Sequence, residues 1–211
     1  MSVVVALAAA PREKTGTGLR KLTYYVACSI DGFIGDPQGD ASSMYSFVTE
    51  EYQAWMNAEY PETVPAHVRA MAGIDADNKH FDTVVQGLAS YRIALDAGIT
   101  SPYAHLREYV ATRSLTESPD PNVELIADDL VGRIRELKAE DGGLGIWLCG
   151  GSTVAGALVD EIDELVIKTY PQVYGSGMPM FGAGFEPRDF ALGAVRAFGN
   201  GVLVRTYTRK R

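Results

Sequence analysis

Cysteine is scarce in this chain, with two among 211 residues, Cys28 and Cys149. No CxxC pairs them and both sit in apolar runs. They read as buried thiols of a reducing, cytoplasmic compartment, with no disulfide framework. The three histidines, His67, His80 and His105, show no metal-ligand spacing, so no metal is expected. Basic charge is in deficit: 19 Lys and Arg stand against 27 Asp and Glu, a net charge of -8. Attraction to phosphate backbones needs a basic surface, so nucleic acid is not an expected partner. Nor is a membrane: the apolar start, Met1 to Pro11, is far shorter than the roughly 20 residues of a spanning helix, and no positive charge precedes it. There is no G-x-S-x-G to suggest a covalent serine. With no repeat or linker in view, one domain is expected over residues 21–211, preceded by a poorly ordered extension over residues 1–20.

What is present is an ordinary globular balance, 46% hydrophobic and 22% charged. The chain is organised around IWLCGGSTVAGA, Ile146 to Ala157. An apolar run ends at Gly150-Gly151, and Ser152 and Thr153 open a helical segment that includes Val154. Glycine lets a ligand approach the backbone, and the free N–H groups of a first helical turn attract anions. The stretch therefore reads either as a diphosphate cradle or as an ordinary β-α connection capped by Ser or Thr.

Strand and helix patterns alternate along the rest of the chain. Leu22 to Ile30 reads as a strand, Asp31-Gly32 as a turn, and Phe47 to Tyr60 as a helix stopped by Pro61. VPAHVRAMAGI fits a short helix closed by Gly73. Phe81 to Gln86, Gly87 and Leu88 to Leu95 form a second strand–glycine–helix junction. Strands follow at Tyr109–Thr112 and Val123–Ala127, then a helix over 129–139 with Asp128 as its N-cap. Glu164 to Tyr170 is a strand, and residues 190–208 suggest a hairpin turning at Gly199-Asn200-Gly201. The pattern implies a mixed, mostly parallel sheet with helices on both faces and a C-terminal antiparallel hairpin.

Several junctions together resemble the dihydrofolate reductase fold, most closely the C-terminal reductase domain of bifunctional riboflavin-biosynthesis enzymes (the RibD C-terminal domain) and its stand-alone bacterial relatives. The residues that carry this are ACSIDGFIGDPQGD (27–40), DTVVQGLASY (82–91), YVATRS (109–114), the stretch WLCGGSTVAGALVDEIDELVIKTYPQVYGSGMPMF (147–181) and VLVRTYTR (202–209). The resemblance implies a three-layer α/β/α domain that binds NADPH across neighbouring strand ends. It places cofactor phosphates at Gly87, Leu88, Ala89 and Ser90, the 2′-phosphate at Thr112, Arg113 and Ser114, and the diphosphate at Gly150, Gly151, Ser152, Thr153 and Val154. Ala27 falls beside the nicotinamide, with Ile34 and Gly35 in a mobile loop over the ring. It also implies a homodimer, with residues 170–190 facing the partner.

Arg113 suits a phosphate because guanidinium is always charged and can fork onto it bidentately. Leu88 departs from the family, whose members commonly carry Arg there. Asp31 is a candidate to bind an N–H-rich heterocycle or to assist protonation, or else a turn-forming Asx residue; Ser29 is a lesser candidate. Glu50 and Glu51 lie on the helix where dihydrofolate reductases proper hold their pterin-binding acid, but the Pro-Trp segment that precedes it there is absent. The zinc-deaminase ligand set is absent too. The expected function is an NADPH-dependent reductase of a small heterocyclic or carbonyl-bearing substrate. The alternatives are an NADP(H)-binding homodimer without efficient catalysis and a purely structural dimer.

Overall fold

The apolar runs fold into strands and the 3.6-periodic segments into helices. In the computed structural model, which describes residues 18–141 and 143–211, the order is β1 (Leu22–Cys28), β2 (Phe33–Gly35), α1 (Glu50–Glu59), α2 (Ala66–Ala72), β3 (Phe81–Gly87), α3 (Leu88–Asp96), β4 (Arg107–Ala111), β5 (Val123–Ile126), α4 (Leu130–Ala139), β6 (Gly145–Gly150), α5 (Ser152–Ala157), β7 (Glu164–Thr169), β8 (Met178–Pro179), β9 (Phe190–Ala197) and β10 (Leu203–Arg209). Eight strands form one sheet in the order β5-β4-β3-β6-β1-β7-β10-β9. All pairings are parallel except those made by β10, which runs antiparallel to both β7 and β9. This is the mixed, mostly parallel sheet with a terminal hairpin that the pattern implied. Gly201, at φ +86°, closes the hairpin turn.

Side chains alternate across the sheet and build a core on each face. Tyr24, Val26 and Leu148 point to one side, where α4 and α5 bring Ile134, Leu137 and Ala155, joined by Leu158 just after α5. Tyr25 and Trp147 point to the other, where α1 brings Tyr52 and Trp55. On that same side Val110 meets Leu88, Tyr91 and Leu95 of α3. Burying each large apolar side chain stabilises the fold by roughly 1.5–3 kcal/mol relative to exposure.

Three local expectations need correction. Residues 1–17 of the expected extension lie outside the described residues, but Arg20, assigned to it, is buried. Its guanidinium donates to Leu144 O at 2.9 Å, Glu140 Oε2 at 2.8 Å and Thr83 Oγ1 at 2.8 Å, and it pairs with Asp82. The packed domain thus includes Arg20. Asp129, not Asp128, caps α4, its Oδ1 accepting from Gly132 N at 3.0 Å. The two aspartates are chemically alike, and Gly132 selects between them: a Cβ there would sit 2.1 Å from Asp129 Oδ2. The first long helix starts at Glu50, because Ser42–Phe47 forms a 3-10 turn and Thr49 takes the N-cap, accepting from Tyr52 N at 3.4 Å.

Candidate functional site

The tips of β4, β3 and β6 lie side by side, because their registers bring Ala111 opposite Gly87 and Gln86 opposite Gly150. The two strand–glycine–helix junctions therefore touch. A Cβ on Gly87 would come within 2.9 Å of Val154 Cγ2 and 3.6 Å of Gly150 O. One on Gly151 would meet Ser90 Oγ at 3.7 Å. Gly150 has φ +114°, a conformation side-chain-bearing residues rarely adopt, and its peptide to Gly151 is cis. Glycine at 87 and 150 lets the two junctions pack this closely, and both residues are buried. The result is a close glycine junction at the carboxyl ends of parallel strands, the usual ligand position in such sheets.

The N-caps of α3 and α5 are Gly87 and Gly151, and neither helix has a side-chain cap. The reading of Ser152 or Thr153 as an N-cap is thereby corrected: Ser152 is the first helical residue and is buried, while Thr153 is exposed. First-turn N–H groups are left without a capping side chain, the arrangement that suits an anion. Ala89 is exposed at the start of α3. Leu88 is half-buried and packs its side chain against the cluster of Tyr91, Val110 and Val123. At the tip of β4, Thr112 Oγ1 accepts from Ser114 N at 3.2 Å and Leu115 N at 3.1 Å. That turn leaves Arg113 exposed, and no carboxylate pairs with it among the described residues.

Ile34 and Gly35 do not hang in a free loop. They belong to a two-stranded ribbon, β2 with β8, pinned by Met180 N donating to Gly32 O at 3.0 Å. The ribbon borders the glycine turn: Met178 Sδ lies 3.8 Å from where a Gly151 Cβ would be.

Asp31 proves to be a clamp. Its carboxylate accepts from Ser29 Oγ at 2.6 Å, Tyr174 N at 3.1 Å and Gly175 N at 2.7 Å. The Ser29 hydroxyl, ahead of the two backbone donors, pulls its pKa down to about 2. A proton donor at neutral pH needs the opposite shift. Ser29 is buried, and its hydroxyl also accepts from Phe33 N at 3.0 Å. Asp31 ties the β1–β2 turn to the loop after β7, and Ser29 braces the turn from within.

Beside Ala27 opens a second space that the sequence reading did not find. This cavity of about 430 Å³ is lined by Ala27, Met44, Tyr45, Gln53, Met56, Lys168 and Tyr170, among others. Glu50 and Glu51 are exposed on α1, which presents Gln53 and Met56 to the cavity instead. Lys168 pairs with Ala27 across β1 and β7. Its Nζ lies 3.9 Å from the centre of the Tyr25 ring and, among the described residues, meets no carboxylate. Burial lowers its pKa to about 8, partly offset by Cys149. The Cys149 thiol is pushed up to about 12 by the same burial, so it stays neutral. The available signal was a lysine inside the otherwise apolar strand ELVIKTY. A larger cavity, about 690 Å³, lies at the opposite ends of the strands near Trp55, Tyr60, Phe81 and Glu164. It has neither glycine turns nor helix starts, so size alone does not make it the candidate site.

Among the described residues no helix is long and apolar enough to cross a membrane, and no three His, Cys, Asp or Glu converge on a metal position.

Known proteins resemble the chain along most of its length. An uncharacterized protein of Bacillus subtilis, YwjB, is 28% identical over 185 residues, 87% of this chain and 95% of that one. The crystal structure of a putative riboflavin biosynthesis protein from Shewanella sp. PV-4 matches with a TM-score of 0.67 at 24% identity, over 90% of this chain and 99% of that one. A Thermotoga maritima protein named as a diaminohydroxyphosphoribosylaminopyrimidine deaminase and 5-amino-6-(5-phosphoribosylamino)uracil reductase matches at 0.60 and 18% identity, over 91% of this chain but 57% of that one. At these identities the two structures speak for the fold alone. The RibD C-terminal domain model matches residues 20–204, starting at the buried Arg20 and ending inside β10, and the chain therefore belongs to the RibD C-terminal domain family.

Proposed function

We propose that the chain is an NADPH-dependent reductase of a small heterocyclic or carbonyl-bearing molecule. The observation that carries this is the glycine junction at the tips of β4, β3 and β6, where Gly87 and Gly150 bring together the starts of two helices that have no side-chain caps, with the exposed Arg113 just beyond the end of β4. The junction suits a dinucleotide because its donors are the first-turn N–H groups of two helices without side-chain caps, together with the exposed Arg113. Gly87, Ala89, Ser90, Gly150, Gly151 and Thr153 would hold phosphate groups, and Arg113 the 2′-phosphate, held on its turn by Thr112. Bound NADPH would supply a hydride. The protein would supply position, charge placement and exclusion of water. The name printed for the Thermotoga relative, a reductase of a ribosylaminopyrimidine, agrees with this class of reaction.

The test is a fluorescence titration with NADPH and NADH. Saturable NADPH binding with at least a tenfold advantage over NADH is expected, and the Arg113→Ala variant is expected to remove the advantage and leave NADH unchanged. No binding at millimolar NADPH refutes the reading. A second reading, a cofactor-binding homodimer without efficient chemistry, draws on Leu88 packing against a core cluster and Asp31 being fully hydrogen-bonded. It gains if NADPH binds but no carbonyl or heterocycle panel oxidises it. Homodimerisation itself is a proposal that suits the exposed Val173 and Phe185, and a sedimentation mass of one chain would refute it.

A further inference from the structure

We infer that the cavity beside Ala27 binds a largely apolar molecule through a single acidic oxygen, with Lys168 as the recognising cation. The inference deepens the proposed reductase reading, on which it rests only for the identity of this cavity as the substrate's. Four observations carry it. Lys168 lies on a central strand next to Ala27, at the carboxyl end of the sheet where the glycine junction also lies. It lines the cavity and, among the described residues, its ammonium has no carboxylate partner. The rest of the lining is chiefly apolar and includes Met44 and Met56. No second cation lines the space.

A half-buried ammonium without a counter-ion is costly. The Tyr25 ring at 3.9 Å offsets part of that cost, since an aromatic face attracts a cation. A carboxylate or enolate oxygen entering the cavity would complete the pair in a low-dielectric setting, where a charge-assisted hydrogen bond is at its strongest. The titratable neighbours are Tyr25 on β1, Cys149 on β6, and Tyr45 and Tyr170, and none of them is a carboxyl group. The Tyr170 hydroxyl already meets that of Tyr52 at 3.2 Å. On the α1 side Gln53 adds a neutral amide. Phosphate groups are ordinarily gathered by several donors or forked guanidinium groups. One lysine amid methionines therefore selects a monoanion over a phosphorylated sugar.

The probes are 2-naphthoate and its neutral counterpart 2-naphthamide, measured by equilibrium dialysis on the whole chain without cofactor. At pH 6.5 naphthoate is expected to bind at least tenfold more tightly than naphthamide. The preference should fade as pH rises through about 8, where the ammonium loses its proton. Lys168→Met should erase the preference while keeping naphthamide binding, and Lys168→Arg should retain it. Ribose 5-phosphate should not compete. Competitive acetylation of the unaltered protein, read by mass spectrometry, gives a measure free of any variant: naphthoate should shield Lys168 and leave Lys21 and Lys210 reactive. Equal binding of the two probes, binding of neither, competition by ribose 5-phosphate, or labelling of Lys168 unchanged by naphthoate overturns the inference. NADPH titration of the same samples separates the two proposals, because loss of cofactor binding refutes the reductase reading and leaves the naphthoate result standing.

Discussion

The glycine junction at the tips of β4, β3 and β6 and the cavity beside Lys168 sit at the same end of one sheet but are made differently. The junction depends on the missing side chains of Gly87 and Gly150, which let neighbouring segments pack closely. The cavity is walled by side chains from β1, β7, α1 and the 3-10 turn before it. A glycine junction depends on what is missing from a residue and tolerates no addition. A side-chain wall depends on which group points inward, and can be recut by substitution without moving the backbone.

The sharpest way to break this contrast is Gly87→Val. The first added atom would already lie 2.9 Å from Val154 Cγ2, and a branched side chain would press on the Gly150–Gly151 turn. Overpacking of this kind costs about 1–3 kcal/mol. NADPH binding is expected to weaken by about 100-fold, or ~3 kcal/mol, while naphthoate binding changes less than twofold. Equal loss at both places would show them to be one site.

Next in size is the effect of Lys168→Met on stability. Burial lowers the ammonium's pKa from 10.5 to about 8, so protonation favours the unfolded chain. The penalty is fully present below pH 8 and gone above 10.5, where both states are neutral. Thermal unfolding at pH 7 should therefore show the variant more stable by about 1–2 kcal/mol, with the gain shrinking as pH rises between these limits. A variant less stable at pH 7 would mean that the ammonium already has a partner.

Smallest is Asp31→Ala, which touches neither place. It should speed amide exchange at Tyr174 and Gly175, whose N–H groups Asp31 accepts, and leave NADPH affinity within a few-fold. Because this carboxyl's pKa is depressed to about 2, its contribution is present above about pH 4 and lost as pH falls towards 2. A collapse of the catalytic rate at neutral pH with loop exchange unchanged would return Asp31 to an acid–base role.

Much of the fold was legible along the chain. Alternation and glycine punctuation located the strands of the large sheet, and the hairpin announced itself through Asn200-Gly201. What misled were features in which near neighbours share a chemistry. Asp128 and Asp129 are equal as caps until Gly132 is placed against one of them. Ser152 and Thr153 look like caps until the turn at Gly151 takes that position. Leu88 sits where a phosphate contact was expected, yet its side chain packs against the cluster of Tyr91, Val110 and Val123.

The sequence by itself determined where the two strand–glycine–helix junctions fall, because glycine punctuation and the order of such junctions survive in one dimension. It also determined the two-faced sheet, since alternation of apolar residues is a local property. Only the tertiary structure decided that Asp31 is a clamp, because the N–H groups it accepts come from residues 143 and 144 positions away. Only it revealed the cavity, since Ala27, Gln53 and Lys168 meet through sheet pairing and helix packing. The environment of a charge is a three-dimensional quantity, and no spacing along the chain records whether an ammonium has found its partner.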